Sequence, residues 1–410
     1  MKPEWRGFCT YPCMTDLTHI RAQYSREHAA SMRPDTLYSV QALRGVAALL
    51  VVLFHLVNFR LPGGEGSGGE LLFCGLPVLS YGFAGVDMFF VISGFIMVHI
   101  TRNFVPNARS LGAYTFARAS RIYPLWWVFA ALALAYTFAT GGQLDTDGST
   151  GAYILRSFAL APQATAPMLE VGWTLVHEMF FYAAFGLLLL LPKRHLPSAL
   201  MLWALALIGV SVVQDAPELA ASFTDLALSP LTMEFLFGAS LALLLPTLRF
   251  RSAQGLILLA TGTAFFVTGM QISPDLLAVD ANWAKVVLFG LPCTIMLAGA
   301  VMLERTGTRV PRPAAALGDW SYSLYLSHIF VMSAAGKAYA FAYSVTGFAM
   351  FDLAGTPARA LFLVATLLAC ILVAGLSYHL IERPLIRLAK ALRPATTIPH
   401  RTPRPHTLNP

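Results

Sequence analysis

Charge is what this sequence has least of. Asp, Glu, Lys and Arg make up 12% of its 410 residues, against a hydrophobic share of 57%, where a soluble domain carries about 25% charged residues. A soluble fold of this length could not cover that much apolar side chain, so a soluble protein is excluded. Cysteine is scarce too: Cys9, Cys13, Cys74, Cys293 and Cys370 fall in a tail, a loop and apolar segments, with neither zinc-site spacing nor a disulfide framework. The first 37 residues lack any apolar run and carry Lys2, Glu4, Arg6, Asp16, Arg21, Arg26, Glu27 and Arg33, which excludes a cleaved secretory signal. Internal repeats are missing as well, and with them the inverted-repeat plan of many secondary transporters. The formal charge of +7 would suit nucleic acid in a soluble protein, but here it follows the topology, and no nucleic-acid partner is expected.

Long hydrophobic runs are what the chain does have. A bilayer core of about 30 Å takes about 20 apolar residues per helix. That length recurs over 38–59, 79–100, 122–140, 171–191, 197–213, 223–246, 252–270, 284–303, 319–343 and 358–381. The expected fold class is an all-α integral membrane bundle of ten transmembrane helices. Lys and Arg fill the N-terminal tail, the C-terminal tail and every second connection, the last represented by Arg102, Arg109, Lys193, Arg194, Arg249, Arg251, Arg305, Arg309 and Arg312. The other connections hold just Arg60 and Arg156, and carry Glu65, Glu70, Asp145, Asp147, Glu170, Asp215, Glu218, Asp275, Asp280 and Asp352. By the positive-inside rule both termini are cytoplasmic. The domain reading is a disordered cytoplasmic tail over 1–37, a membrane domain over 38–386 and a basic, proline-rich cytoplasmic tail over 387–410. Residues 103–121 form a cytoplasmic connection with an interfacial helix leading to Arg118.

Ionisable groups inside hydrocarbon are costly and so mark function, with helix-packing hydrogen bonds as the bland rival. Arg44 and His55 lie eleven residues apart on the first span, on one face and separated by about 16 Å along the axis. Arg44 falls near the cytoplasmic end and His55 in the outer half; as plain structure they would be a snorkelling anchor and a packing histidine. Asp87 on the second span and Glu178 on the fourth are placed at the depth of His55, so that one histidine and two carboxylates converge, unless a carboxylate merely pins helices. Arg118 and Arg121 stand one turn apart at the cytoplasmic mouth of the third span. With Arg44 they suit the phosphates of a polyanionic donor such as coenzyme A, since guanidinium binds phosphate oxygens bidentately; ordinary topology and anionic lipid headgroups are the alternative. Ser321, Tyr325 and His328 share a face in the inner half of the ninth span, either lining a donor channel or satisfying one another. Glu382 at the end of the last span reads as a structural salt bridge.

The blocks SVQALRGVAALLVVLFH, GVDMFFVISGF, FARASRIYP, WTLVHEMFFY, EFLFGASLA, SYSLYLSH and SYHLIERP, in this order from residue 38 to about 386, resemble the membrane acyltransferase family 3, and within it the exopolysaccharide acetyltransferase branch. The resemblance implies a ten-helix domain of the bacterial inner membrane that moves acetyl from acetyl-CoA to a surface carbohydrate. By the same resemblance His55 is the family's essential histidine, Arg44 its partner arginine, and Arg118 with Arg121 the RxxR pair of the donor site. Many relatives carry two acidic residues where this chain has His177 and Glu178, so Glu178 alone is carried over.

The expected chemistry follows. Arg44, Arg118 and Arg121 hold acetyl-CoA, with Tyr325 and His328 along the donor path, and His55, oriented by Asp87 or Glu178, deprotonates a sugar hydroxyl that attacks the thioester. A His55 acyl-enzyme would use the same groups. Trp173 and the outer loops offer a stacking surface to the sugar. No metal is called for, and the expected partners are membrane lipid, acyl-CoA and a carbohydrate acceptor. The rival reading is a transporter in which His55, Asp87 and Glu178 relay protons; a scaffold in an export complex is a third.

Overall fold

Backbone polar groups in hydrocarbon must be satisfied within their own segment, which leaves helices as the way for a chain of this composition to cross. The computed structural model describes residues 36–59, 81–144, 148–211, 220–248, 251–277, 281–351 and 356–392, and these contain helices and no strand. The helices are α1 (Tyr38–Val57), α2 (Gly85–Thr101), α3 (Ala108–Ala139), α4 (Thr150–Ala159), α5 (Trp173–Leu188), α6 (Leu196–Ser211), α7 (Phe223–Leu228) and α8 (Thr232–Leu244). They continue as α9 (Ser252–Leu277), α10 (Ala281–Lys285), α11 (Leu291–Arg305), α12 (Arg312–Thr346), α13 (Thr356–Ser377) and α14 (Arg383–Ala391). Short π-helical turns, Val286–Gly290 and Tyr378–Glu382, join α10 to α11 and α13 to α14.

Eight of these helical stretches are long and apolar enough to cross a membrane, and the chain is a polytopic helical membrane protein. Two further expected spans have helices that differ in kind. The segment over 223–246 is broken into α7 and α8 at Ser229–Leu231, where Pro230 cannot continue a helix; a capping box between Ser222 and Asp225 starts the first piece. The ninth, α12, is long enough but is diluted by Ser, Tyr and His. It begins at Arg312, between the N-cap Pro311 and Pro313 in its first turn, and stops at Gly347, whose φ of +63° suits glycine.

The interfacial helix expected before Arg118 is corrected: α3 is one continuous helix capped by the Asn107 side chain, which accepts from the Ser110 N–H at 2.8 Å. Pro124 is accommodated inside it. The expected tails over 1–37 and 387–410 lie almost wholly outside the described residues, except that α14 runs past 386 to Ala391. The outer loop over 60–78 also lies outside them.

Lipid tails are as apolar as leucine, so close packing rather than water exclusion holds such helices together. Two contacts set the positions of the functional groups. At Gly45 an added Cβ would sit 3.0 Å from the Gly318 backbone nitrogen, and at Gly318 it would collide with the Gln41 carbonyl oxygen, so α1 and α12 touch backbone to backbone. Likewise Gly94 faces the Phe235 carbonyl and Gly238 the Val91 carbonyl, which draws α8 onto α2. Phe90, Phe235 and Phe181 then stack at centroid distances of 4.5 and 4.4 Å, tying α5 to that pair. A second core of Val52, Leu56, Leu324, Phe362 and Cys370 joins α1, α12 and α13.

Candidate active site

His55 lies ten residues beyond Gly45 and His328 ten beyond Gly318. Two helices that run side by side from one close contact therefore carry both histidines about 15 Å along, to the same level. Their ring centroids are 5.0 Å apart, and His328 Nε2 is 3.4 Å from His55 Nδ1. His328 Nδ1 sits 3.1 Å from the Leu324 carbonyl and His55 Nδ1 2.9 Å from the Val51 carbonyl. Carbonyls only accept, so each neutral ring carries its proton on Nδ1. The single His55 Nδ1–H goes chiefly to the Val51 carbonyl and is shared with the Nε2 lone pair of His328 at the longer distance, and the lone pair of His55 lies on Nε2, on the far side of a half-buried ring. That is a histidine held in one tautomer with its basic nitrogen presented.

His328 was expected in the inner half with Tyr325, and its place is corrected. Because α12 starts at Arg312 rather than 319, His328 is about as deep into its helix as His55 is into α1. Tyr325 is close by: its hydroxyl donates to the Val171 carbonyl at 2.9 Å and meets Thr174 Oγ1 at 2.8 Å, pinning α12 to the start of α5. Glu170 is within electrostatic reach of both His55 and Tyr325, and Glu178 of Tyr325 as well; Glu170 is an exposed residue that the sequence places among the loop acids. Trp173, half-buried, stands edge-on to Phe90 and His177 at 6.4 and 5.8 Å. It lines a crevice of about 20 Å³, the room of a water.

The expected meeting of His55, Asp87 and Glu178 is also corrected, since each keeps different company. Asp87, 3% exposed, faces Glu234 of α8, with Lys285 in reach of both. The close packing at Gly94 and Gly238 is what brings these two helices face to face. Glu234 is fully buried, its carboxylate oxygens lack a hydrogen bond among the described residues, and Gly290 of the π turn packs against its side chain. Glu234 is the first residue of the EFLFGASLA block, and an acidic residue in an apolar run is the sequence signal that marks it.

Glu178 lies eight residues, about 12 Å, beyond Glu170, which sits in the 3-10 turn Glu170–Gly172 that leads into α5, and belongs to the arginine end. Ser93 Oγ donates to its Oε1 at 2.8 Å, the Tyr182 hydroxyl donates to the same oxygen, and Arg44 is within electrostatic reach. Arg44 donates to Gln41 Oε1 at 3.0 Å and lies near Arg121 and Glu382. Arg118 places its guanidinium 6.0 Å over the Tyr182 ring, and its Nε is buried with no hydrogen-bond partner among the described residues. Glu382, carried inward on the second π turn, accepts from Ser323 Oγ at 2.6 Å and is within reach of Arg44 and Arg121. Arg44, Arg118 and Arg121 thus share one neighbourhood, and eleven residues of α1 join it to His55.

A presented histidine at one level and an arginine cluster at another, on a polytopic helical chain, meet a family pattern that covers most of its length: residues 37–375 match the Acyltransferase domain family. The chain belongs to that family. The acyltransferase is 30% identical to the exopolysaccharide production protein ExoZ of Rhizobium meliloti (strain 1021) over 331 residues, 76% of this chain and 92% of that one. It is 27% identical to the acyltransferase MdmB of Streptomyces mycarofaciens over 392 residues, 88% of this chain and 94% of that one. A shorter match, 32% over 104 residues, links a quarter of the acyltransferase to protein 2 in the picA locus of Rhizobium radiobacter. No solved structure matches it. No group of three or more His, Cys, Asp or Glu among the described residues has a metal-binding arrangement.

Proposed function

We propose that this acyltransferase moves acetyl from cytoplasmic acetyl-CoA to a hydroxyl of a cell-surface or exported polysaccharide, across the bacterial inner membrane. The observation that carries the reading is the placement of His55, whose Nδ1 is 2.9 Å from the Val51 carbonyl and 3.4 Å from His328 Nε2, which leaves Nε2 as the nitrogen to act as base. Arg44, Arg118 and Arg121 take the donor's phosphates, the unpartnered Arg118 Nε being one waiting donor. The extended pantetheine arm then follows α1 toward His55, over the about 16 Å between Arg44 and His55. The match to a relative named for exopolysaccharide production supports a carbohydrate acceptor.

In the proposed step the sugar hydroxyl loses its proton to His55 Nε2 as its oxygen attacks the thioester carbonyl. The C–O bond forms, the C–S bond breaks, and the histidine returns its proton to the departing sulfur, releasing coenzyme A as the thiol. Positioned general-base catalysis of this kind contributes about 10²- to 10⁴-fold. Glu170 stabilises the imidazolium by charge from the open side, and Trp173 serves the acceptor as a stacking face once the sugar is bound. Asp87 acts through Glu234 and Lys285 as the support of α2 against α8. Glu178 anchors the arginine cluster. Transfer of radiolabel from acetyl-CoA to polysaccharide in inverted membrane vesicles tests the proposal: label is expected with the native chain and lost with His55→Ala at matched expression, and undiminished label would remove His55 from the mechanism.

A further inference from the structure

A larger opening lies away from all these groups, where α2, α8 and α11 end and α6 begins. It encloses about 460 Å³, inside the range of about 300–1,000 Å³ typical of small-molecule sites. Its walls include Phe95, Val98, Leu188, Leu189 and Leu243, and its rim carries His99, Arg102, Lys193 and Arg305. None of its described lining residues is acidic. Arg102 caps the C-terminus of α2 and Arg305 is the last residue of α11. The partial negative charge of two helix C-termini would repel an anion, and the cations reverse that sign. Lys193 Nζ donates to the Arg102 carbonyl at 2.7 Å, so the turn before α6 holds a second cation beside the first.

We propose that this opening is a binding site for one anionic phospholipid, its phosphate at Arg102, Lys193 and Arg305 and an acyl chain along the apolar wall. Both halves of the site are needed to choose this occupant. A soluble anion would leave the partly exposed Leu188, Ala242 and Leu243 facing water, while a lipid without net charge would gain nothing from the Lys193 and Arg305 cations at the rim. The position fits as well, because α2 is an apolar spanning helix and Arg102 marks the point where it leaves the hydrocarbon. The site is separate from the arginines assigned to the acyl donor, so its occupancy and donor binding are independent readouts.

Native mass spectrometry of the full chain in neutral detergent tests this with dioleoyl-phosphatidylglycerol, dioleoyl-phosphatidylcholine and free glycerol phosphate as probes. Phosphatidylglycerol is expected to stay bound in preference to phosphatidylcholine, and Arg102→Gln and Arg305→Gln each to lower its retention about five-fold. Both side chains are exposed, so these substitutions leave the fold intact. Ala242→Trp, which fills the opening from α8, is expected to abolish retention. Equal retention of the two lipids, retention unchanged in both rim variants, or glycerol phosphate binding as tightly as phosphatidylglycerol would each overturn the proposal, the last by making the site one for a soluble anion.

Discussion

A histidine is a base only through the nitrogen that has no proton, and in this acyltransferase the backbone decides which one that is. The Val51 and Leu324 carbonyls fix the protons of His55 and His328 on Nδ1, so His328 works as an acceptor behind the ring proposed as the base. His328→Ala is therefore expected to lower kcat for acetyl transfer while leaving the KM for acetyl-CoA within about two-fold, a split read from initial rates in vesicles. At the other end of α1 the reverse holds. Arg118→Lys keeps the charge and loses the planar fork, and is expected to raise the KM for acetyl-CoA about ten-fold or more with kcat little changed. The acids of α2 and α8 answer to a stability measurement instead. Lys285→Met leaves Asp87 and Glu234 without their cation, and denaturant unfolding is expected to show a loss of about 2 kcal/mol, below the 3–5 kcal/mol of a fully buried pair because Lys285 is half-buried.

At the scale of helices, glycines place the chemistry. Gly318→Val drives a side chain into the Gln41 backbone and is expected to part α1 from α12, abolishing transfer and lowering stability by about 1–3 kcal/mol. Gly112→Ala in α3, where a Cβ meets nothing within 4 Å, is the control and is expected to leave activity unchanged and stability equal or up to about 1 kcal/mol higher; activity and thermal midpoint check the pair. Hydropathy made the spans legible because one apolar residue after another leaves a helix as the only solution in lipid. Partnership was less legible, because depth depends on where a helix begins. A start at Arg312 instead of 319 moves His328 from the donor end to the side of His55, whereas the fourth span starts almost where expected and it is Ser93, Tyr182 and Arg44 that place Glu178 among the arginines. The pairing of Asp87 with Glu234 needed a close approach between α2 and α8 that composition does not announce, although Gly94 and Gly238 are what permit it.

At the scale of the molecule, the arginine cluster and the presented histidine lie at two levels along one helix, the arrangement that the proposed passage of an acyl group from one side to the other calls for. If both termini face the donor side, a single cysteine at Val105, in the connection from α2 to α3, is expected to react with an impermeant maleimide only in inverted vesicles. One at Phe348, just past α12, is expected to react only in intact cells with opened outer envelope. Cys293 and Cys370 are buried, so in a chain also cleared of Cys9, Cys13 and Cys74 they give little background. Labelling of both positions from one side would reverse the proposed direction of transfer. The matched intervals from Gly45 to His55 and from Gly318 to His328 act as a pair of equal rulers. One residue inserted in either interval swings its imidazole about 100° around the helix and lifts it 1.5 Å, and no rotamer recovers that. Length changes in these two stretches therefore keep the pair together only when both intervals change by the same near-whole number of turns, which ties the length of one helix to that of another more than 250 residues away.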